Sequence, residues 1–130
     1  MQFNQIKETC LYIKDLDATE RFYVEKLGLE CFAKVPGRHV FFRAGTSVLL
    51  CFNSEMTKID PVLPPHYAEG KQHLAFEVPS DDYDKRKVEI QSSGIAITHE
   101  HTWPSGLKSF YFEDPDGHVL EVVPTGLWGG

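Results

Sequence analysis

With 130 residues, 42% of them hydrophobic and 25% charged, the chain has the length of about one soluble domain and can bury a core of useful size. Its formal net charge of −6 argues against nucleic acid and anionic membranes, which call for a basic patch, and no apolar run nears the ~20 residues of a membrane span. Met1 to Gln5 lacks the basic and apolar regions of a signal peptide, and Cys10, Cys31 and Cys51 are an odd set unsuited to a disulfide framework, so the cytoplasm is the expected address.

Residues 5–13 alternate as a strand, with Leu11 and Ile13 on one face and Glu8, Cys10 and Tyr12 on the other. A helix follows, its start marked by a capping-box-like Asp17-Ala18-Thr19-Glu20 and its end by Gly28. Strands are expected near 29–35, 38–44 and 46–53, punctuated by Pro36-Gly37 and Gly45. Residues 54–70, with three prolines and Gly70, read as a linker long enough to be functional. The second half begins with a strand over 71–78. A helix then runs from an N-cap at Ser80, with Asp81 and Asp82 in its first turn, to Gly94. Strands near 95–101, 107–113 and 118–123 complete the chain.

The two halves match in their punctuation. Gly28 corresponds to Gly94, Glu8 to His73, Val40-Phe41-Phe42 to Phe110-Tyr111-Phe112, and Val48-Leu49-Leu50 to Val119-Leu120-Glu121, all at a near-constant offset. Such an offset is the mark of a duplicated supersecondary unit. The expected fold is α+β: two βαβββ units, 1–53 and 71–130, in a single domain of 1–130.

Residues two apart on a strand share a face, so Glu8, Cys10 and Tyr12 point away from the helix, as do His73, Ala75 and Glu77. Glu121 lies between Val119 and Val123 on one face, a costly place for a carboxylate unless it is paired or coordinated. If the sheets curl, Glu8, His73 and Glu121 converge. One imidazole and two carboxylates make a three-ligand site for a divalent cation with positions left open for substrate. The hardness of that set favours Mn²⁺ or Fe²⁺ over copper, with Ni²⁺ and Zn²⁺ also compatible.

The stretch Phe110–Glu121, reading FYFEDPDGHVLE, resembles the vicinal oxygen chelate superfamily, as do Asp15-Leu16-Asp17 before Phe22-Tyr23 and Leu27-Gly28-Leu29. That superfamily includes glyoxalase I, bleomycin-resistance proteins, fosfomycin-resistance enzymes and extradiol dioxygenases. The resemblance covers nearly the whole chain. It implies a cupped mixed sheet completed across a homodimer, with Glu8 of one chain meeting His73 and Glu121 of the other.

Departures from the family pattern bear on the reaction. The first-strand ligand is commonly His or Gln where this chain has Glu8, and the additional glutamate of glyoxalase I falls at Leu50. Ser105 and Tyr111 stand where fosfomycin-resistance enzymes place phosphonate and cation contacts, but His101 replaces a lysine. A phosphonate dianion needs such cations.

The resulting expectation is a divalent-metal-dependent enzyme binding a small molecule through neighbouring oxygens: a lyase, isomerase, thiol transferase or dioxygenase. The alternative is a metal-free drug-sequestering protein of the bleomycin-resistance type. Tyr111 and Glu77 are the candidates for proton transfer by strand parity. His39 and Arg43, with Ser105, His101 and Trp103, are candidates for substrate binding; an ion pair of Arg43 with Glu8 or Glu121 is the structural alternative. Tyr12 and Trp128, like Trp103, could line a pocket, though aromatic residues are more often core or dimer contacts; Cys10 reads first as a small hydrophobe, and His118 reads as part of a turn.

Overall fold

The computed structural model describes residues 1–129, and the chain divides into two compact units, Met1–Gly70 and Lys71–Gly130. In the first, β1 (Glu8–Ile13) leads into α1 (Leu16–Arg21), followed by β2 (Glu30–Val35), β3 (His39–Ala44) and β4 (Ser47–Asn53). The strands form one mixed sheet ordered β1-β4-β3-β2, with β1 parallel to β4 and the remaining pairs antiparallel. The expected alternation places Leu11, Ile13, Val40, Phe42, Leu49 and Cys51 in the core, where Tyr23 packs on Phe42 with ring centroids 5.3 Å apart.

The helix start differs from the sequence expectation. Asp15, not the Asp17–Glu20 box, is the cap: its Oδ1 accepts from the Ala18 amide at 3.0 Å. Starting the helix at Leu16 lets that side chain reach the core, and it leaves Asp17 and Glu20 free to hold Lys34 at 2.6 and 2.7 Å. The helix also changes pitch. Residues Phe22–Lys26 form a π-helical turn in which the Leu27 amide reaches back to Phe22 O. Gly28, at φ +75°, then reverses the chain.

Residues 54–70 belong with the first unit. They begin with α2 (Ser54–Thr57), capped by the Asn53 side chain. Asp60 then accepts from the Val62 and Leu63 amides, both at 2.9 Å, and pairs with Arg38 at 2.8 Å. Further on, His66 Nδ1 hydrogen-bonds the Tyr12 hydroxyl.

The second unit repeats the plan with β5 (His73–Val78), α3 (Tyr83–Ser92), β6 (His99–Thr102), β7 (Lys108–Glu113) and β8 (Val119–Pro124), ordered β5-β8-β7-β6. Again the first and last strands are parallel. Phe110, Phe112, Leu120 and Val122 form its buried layer, with Tyr83 edge-on to Phe110 at 5.3 Å. Ser80 does not cap the helix. Its hydroxyl donates to Thr125 O at 2.9 Å, a 3₁₀ turn occupies Ser80–Asp82, and the α-helix proper begins at Tyr83. The strand expected from residue 95 begins only at His99, because Ile95 is drawn into the core. Among the described residues no helix is long and apolar enough to cross a membrane.

Candidate metal centre and its surroundings

The second sheet carries a polar constellation on one face. Glu121 sits in the interior strand β8, with Ala75 of β5 and Tyr111 of β7 as its neighbours in register. It is only 5% exposed. Oε1 lies 3.3 Å from His73 Nε2, while Oε2 is buried without a hydrogen-bond partner. An unsatisfied buried polar atom of this kind costs about 1–3 kcal/mol, and more when it is charged.

His73 is oriented by its other ring nitrogen. Nδ1 lies 2.8 Å from Val119 O, and because a carbonyl only accepts, Nδ1 carries the proton. That bond leaves the lone pair of the neutral ring on Nε2, the atom facing Glu121. A backbone carbonyl holding the remote nitrogen of an imidazole is the outer-shell arrangement typical of metal-ligating histidines. Two lone-pair-bearing atoms at 3.3 Å require positive charge between them, either a proton on Nε2 or a cation. The orphaned Oε2 and the fixed tautomer both fit a cation.

The strand ends around His73 are pinned further. The Val119 amide donates to Gln72 O at 2.9 Å, and the Gln72 amide donates to His118 Nδ1 at 3.0 Å. Asp114 completes the turn by accepting from the amides of Asp116 and His118. His118, 2% exposed, is therefore a backbone acceptor that fixes the approach to His73.

Tyr111 stacks beside His73 with centroids 6.2 Å apart. Burial raises the pKa of its phenol, Ser109 acts against that shift, and the neighbouring Glu121 adds to it. Beyond Tyr111 the face continues through His99, His101, Trp103 and Trp128, each in ring contact with the next. Trp103 is anchored by its indole N–H to Ser109 Oγ at 2.9 Å. Ser105 is exposed, and its hydroxyl accepts from the Leu107 amide within the β6–β7 hairpin. Glu77 is exposed on β5, two residues from Ala75.

The first unit holds Glu8, His39 and Arg43. Glu8 is exposed at the start of β1, and its charge adds to burial in raising the Cys10 thiol pKa. His39 lies flat on Phe41, with centroids 4.0 Å apart and planes within 9°. Its Nδ1 is 2.6 Å from an Arg38 nitrogen, which can only donate, so the Nε2 of His39 holds its proton. Burial, then the Arg38 charge, lowers its pKa. Arg43 pairs with Glu30 at 3.4 Å and covers the Phe32 ring, so its carboxylate partner is neither Glu8 nor Glu121.

The structure thus brings together His73, Glu121 and Tyr111, and separately His101, Trp103 and Ser109. Among the described residues, no group of three or more His, Cys, Asp or Glu side chains is arranged to hold a metal ion. The sequence reading overlooked Arg38, His66 and His99. The signal for His99 was its shared parity with His101 on a four-residue strand.

A duplicated βαβββ plan, each unit a four-stranded mixed sheet, defines a class of glyoxalase-like α+β proteins. Residues 5–122 match the Glyoxalase/Bleomycin resistance protein/Dioxygenase superfamily, and the chain belongs to it. Among solved structures it is similar to a lactoylglutathione lyase from Agrobacterium tumefaciens, at 36% identity and a TM-score of 0.95 with both chains fully covered. It is 29% identical to the glutathione transferase FosA of Serratia marcescens, over 90% of this chain and 78% of that protein. The fold also matches a FosX mutant from Listeria monocytogenes complexed with Mn(II) and a dihydroxypropylphosphonic acid, at 22% identity, a TM-score of 0.70 and coverage of 98% and 94%.

Proposed function

We propose that this chain is a divalent-metal-dependent enzyme acting on a small molecule with two neighbouring oxygens, and that its reaction makes or rearranges a thiol adduct. The observation that carries this reading is the pairing of buried Glu121 with half-exposed His73, with one carboxylate oxygen left unpartnered and the imidazole tautomer fixed by Val119 O. The thiol component is supported by the names of two relatives, a lactoylglutathione lyase and a glutathione transferase. Mn²⁺, Fe²⁺, Ni²⁺ and Zn²⁺ all suit the donors.

His73 and Glu121 are the two ligands from one chain, and Glu8 of the partner subunit is the third in a homodimer. A bound divalent cation supplies Lewis-acid polarisation of the substrate oxygens. The protein's own groups do the rest. Tyr111 keeps its phenolic proton through neutral pH, because burial and the Glu121 charge favour the neutral form, so it serves as a donor to developing negative charge. Glu77, an exposed carboxylate on the strand that carries His73, is the candidate base. His101, Trp103 and Ser105 form one substrate-binding group, and His39 and Arg43 another. The free thiols Cys10, Cys31 and Cys51 accord with action in the cytoplasm.

The test is metal content by elemental mass spectrometry on untagged protein purified without chelator, with formation and breakdown of lactoylglutathione followed optically. Near one metal per chain, lost in His73→Ala, supports the reading. A second reading rests on the same 3.3 Å contact: a proton on His73 Nε2 also satisfies it, and the protein then sequesters a ligand without metal. No bound metal, and no thermal shift with any of the four cations, selects that reading.

A further inference from the structure

We infer that His99 and His101 form a second cation site, a two-imidazole chelate on β6 for a borderline divalent ion such as Zn²⁺ or Cu²⁺. Both residues are exposed on the same face of a strand at one edge of the second sheet. Their rings are already near-parallel, with centroids 6.1 Å apart and planes 26° apart. Among the described residues neither imidazole has a hydrogen-bond or ionic partner; their contacts are with rings only, His99 with Tyr111 and His101 with Trp103. Each neutral imidazole thus offers a nitrogen lone pair that no protein group occupies.

Register keeps this pair apart from the His73–Glu121 centre. His99 faces Tyr111, which faces Glu121, so two strand spacings, about 10 Å, separate His99 from the buried carboxylate. The Tyr111 ring, in contact with both His73 and His99, stands between the two sets of donors. Metal–nitrogen bonds of about 2.0–2.1 Å require the two donor atoms to approach more closely than the rings now do. Small rotations of two exposed side chains achieve this without moving the strand. Imidazole donors select Zn²⁺, Cu²⁺ and Ni²⁺ over the harder Mn²⁺ that suits a carboxylate-rich set, so the two sites differ in preference. Trp103, edge-on to His101 at 4.6 Å, restricts the ring on one side. Water or an anionic group of a bound small molecule completes the coordination.

The inference stands independently of the reading of His73 and Glu121, and the experiment separates them. Zn²⁺ is titrated calorimetrically into the full chain carrying His73→Ala, and the imidazole signals are followed by NMR. Binding that persists in His73→Ala, shifts His99 and His101 signals, and weakens at least about tenfold when either residue is also replaced by Ala is the expected result, because the second donor acts intramolecularly. Absence of Zn²⁺ binding in His73→Ala overturns the inference, as does unchanged binding when His99→Ala and His101→Ala are added together. Loss of a metal equivalent on His73→Ala alone reports on the first centre only.

Discussion

The backbone amide of Gln72 donates to the ring nitrogen Nδ1 of His118 at 3.0 Å, tying the residue before a candidate metal ligand to the turn before β8. Sequence reading places His118 in a turn, and so it is, but the turn acts on the site. Replacing His118 by Ala strands a part-buried amide and loosens the strand start that presents His73. A loss of about 1–3 kcal/mol in unfolding free energy is expected by chemical denaturation. A drop of about 10–100-fold in metal affinity, measured by competition with a chelator, should accompany it. A destabilised variant that binds metal as tightly as the parent would show that the turn does not orient His73.

Glu121 gives a prediction of opposite sign for stability and binding. Its repeat-related position in the first unit is Leu50, which is buried and apolar. Glu121→Leu removes a buried carboxylate with an unpartnered oxygen and leaves behind a half-exposed imidazole. In metal-free protein the variant should be as stable as the parent or more stable, by up to about 3 kcal/mol as the unsatisfied oxygen is removed, with metal binding abolished. A clear fall in melting temperature of the metal-free variant would mean that the ion pair itself holds the sheet together.

Tyr83 makes the stability of the second unit depend on alkaline pH. Its phenol is buried and donates to Glu100 at 2.8 Å, and burial first, then the Glu100 carboxylate, raises its pKa well above the ordinary value. Between the unfolded value of about 10 and the higher folded value, the unfolded chain has lost a proton that the folded chain keeps, so stability falls as pH rises. Below about pH 10 the contribution is complete. Denaturation series from pH 8 to above 10 should show this decline in the parent and a flatter profile in Tyr83→Phe.

Asp60 behaves in the opposite sense at acid pH. The Leu63 and Val62 amides, then Arg38, hold its carboxyl down at about 2. The unfolded chain takes up its proton first, near pH 4, so this contribution is present above that pH and is lost as pH falls toward 2. Hydrogen exchange at the Val62 and Leu63 amides should accelerate across that window relative to the general acid trend. Asp60→Ala should show the faster exchange already at neutral pH.

The fold was legible because its signals are local and repeated. Alternation in Cys10–Ile13, the glycine after each helix and the Asp-Gly turn at Asp116-Gly117 each fix an element without knowledge of the rest. Helix starts were less legible. Asp15 and Asp17 are chemically equal as caps, and the choice between them is made by whether Leu16 reaches the core and Lys34 finds its acids. Of the candidate site, the enclosed position of Glu121 was readable from its valine neighbours, and the equivalence of His73 to Glu8 in strand register from the repeat. The orientation of His73 was not readable, since it depends on a carbonyl 46 residues away. Ser105 is exposed in the β6–β7 turn, and the bond its hydroxyl accepts from the Leu107 amide, a contact of that turn, was not readable from the chain.

The strand order β5-β8-β7-β6 gives the two halves of the metal centre different mechanical characters. Glu121 rides on a strand clasped on both flanks, whereas His73 belongs to a strand bonded on one flank within its sheet. A side chain on β8 is thus backed by two hydrogen-bond ladders and one on β5 by a single ladder of its own sheet, so a backbone shift that β5 can absorb at one edge would on β8 have to be shared by both neighbours.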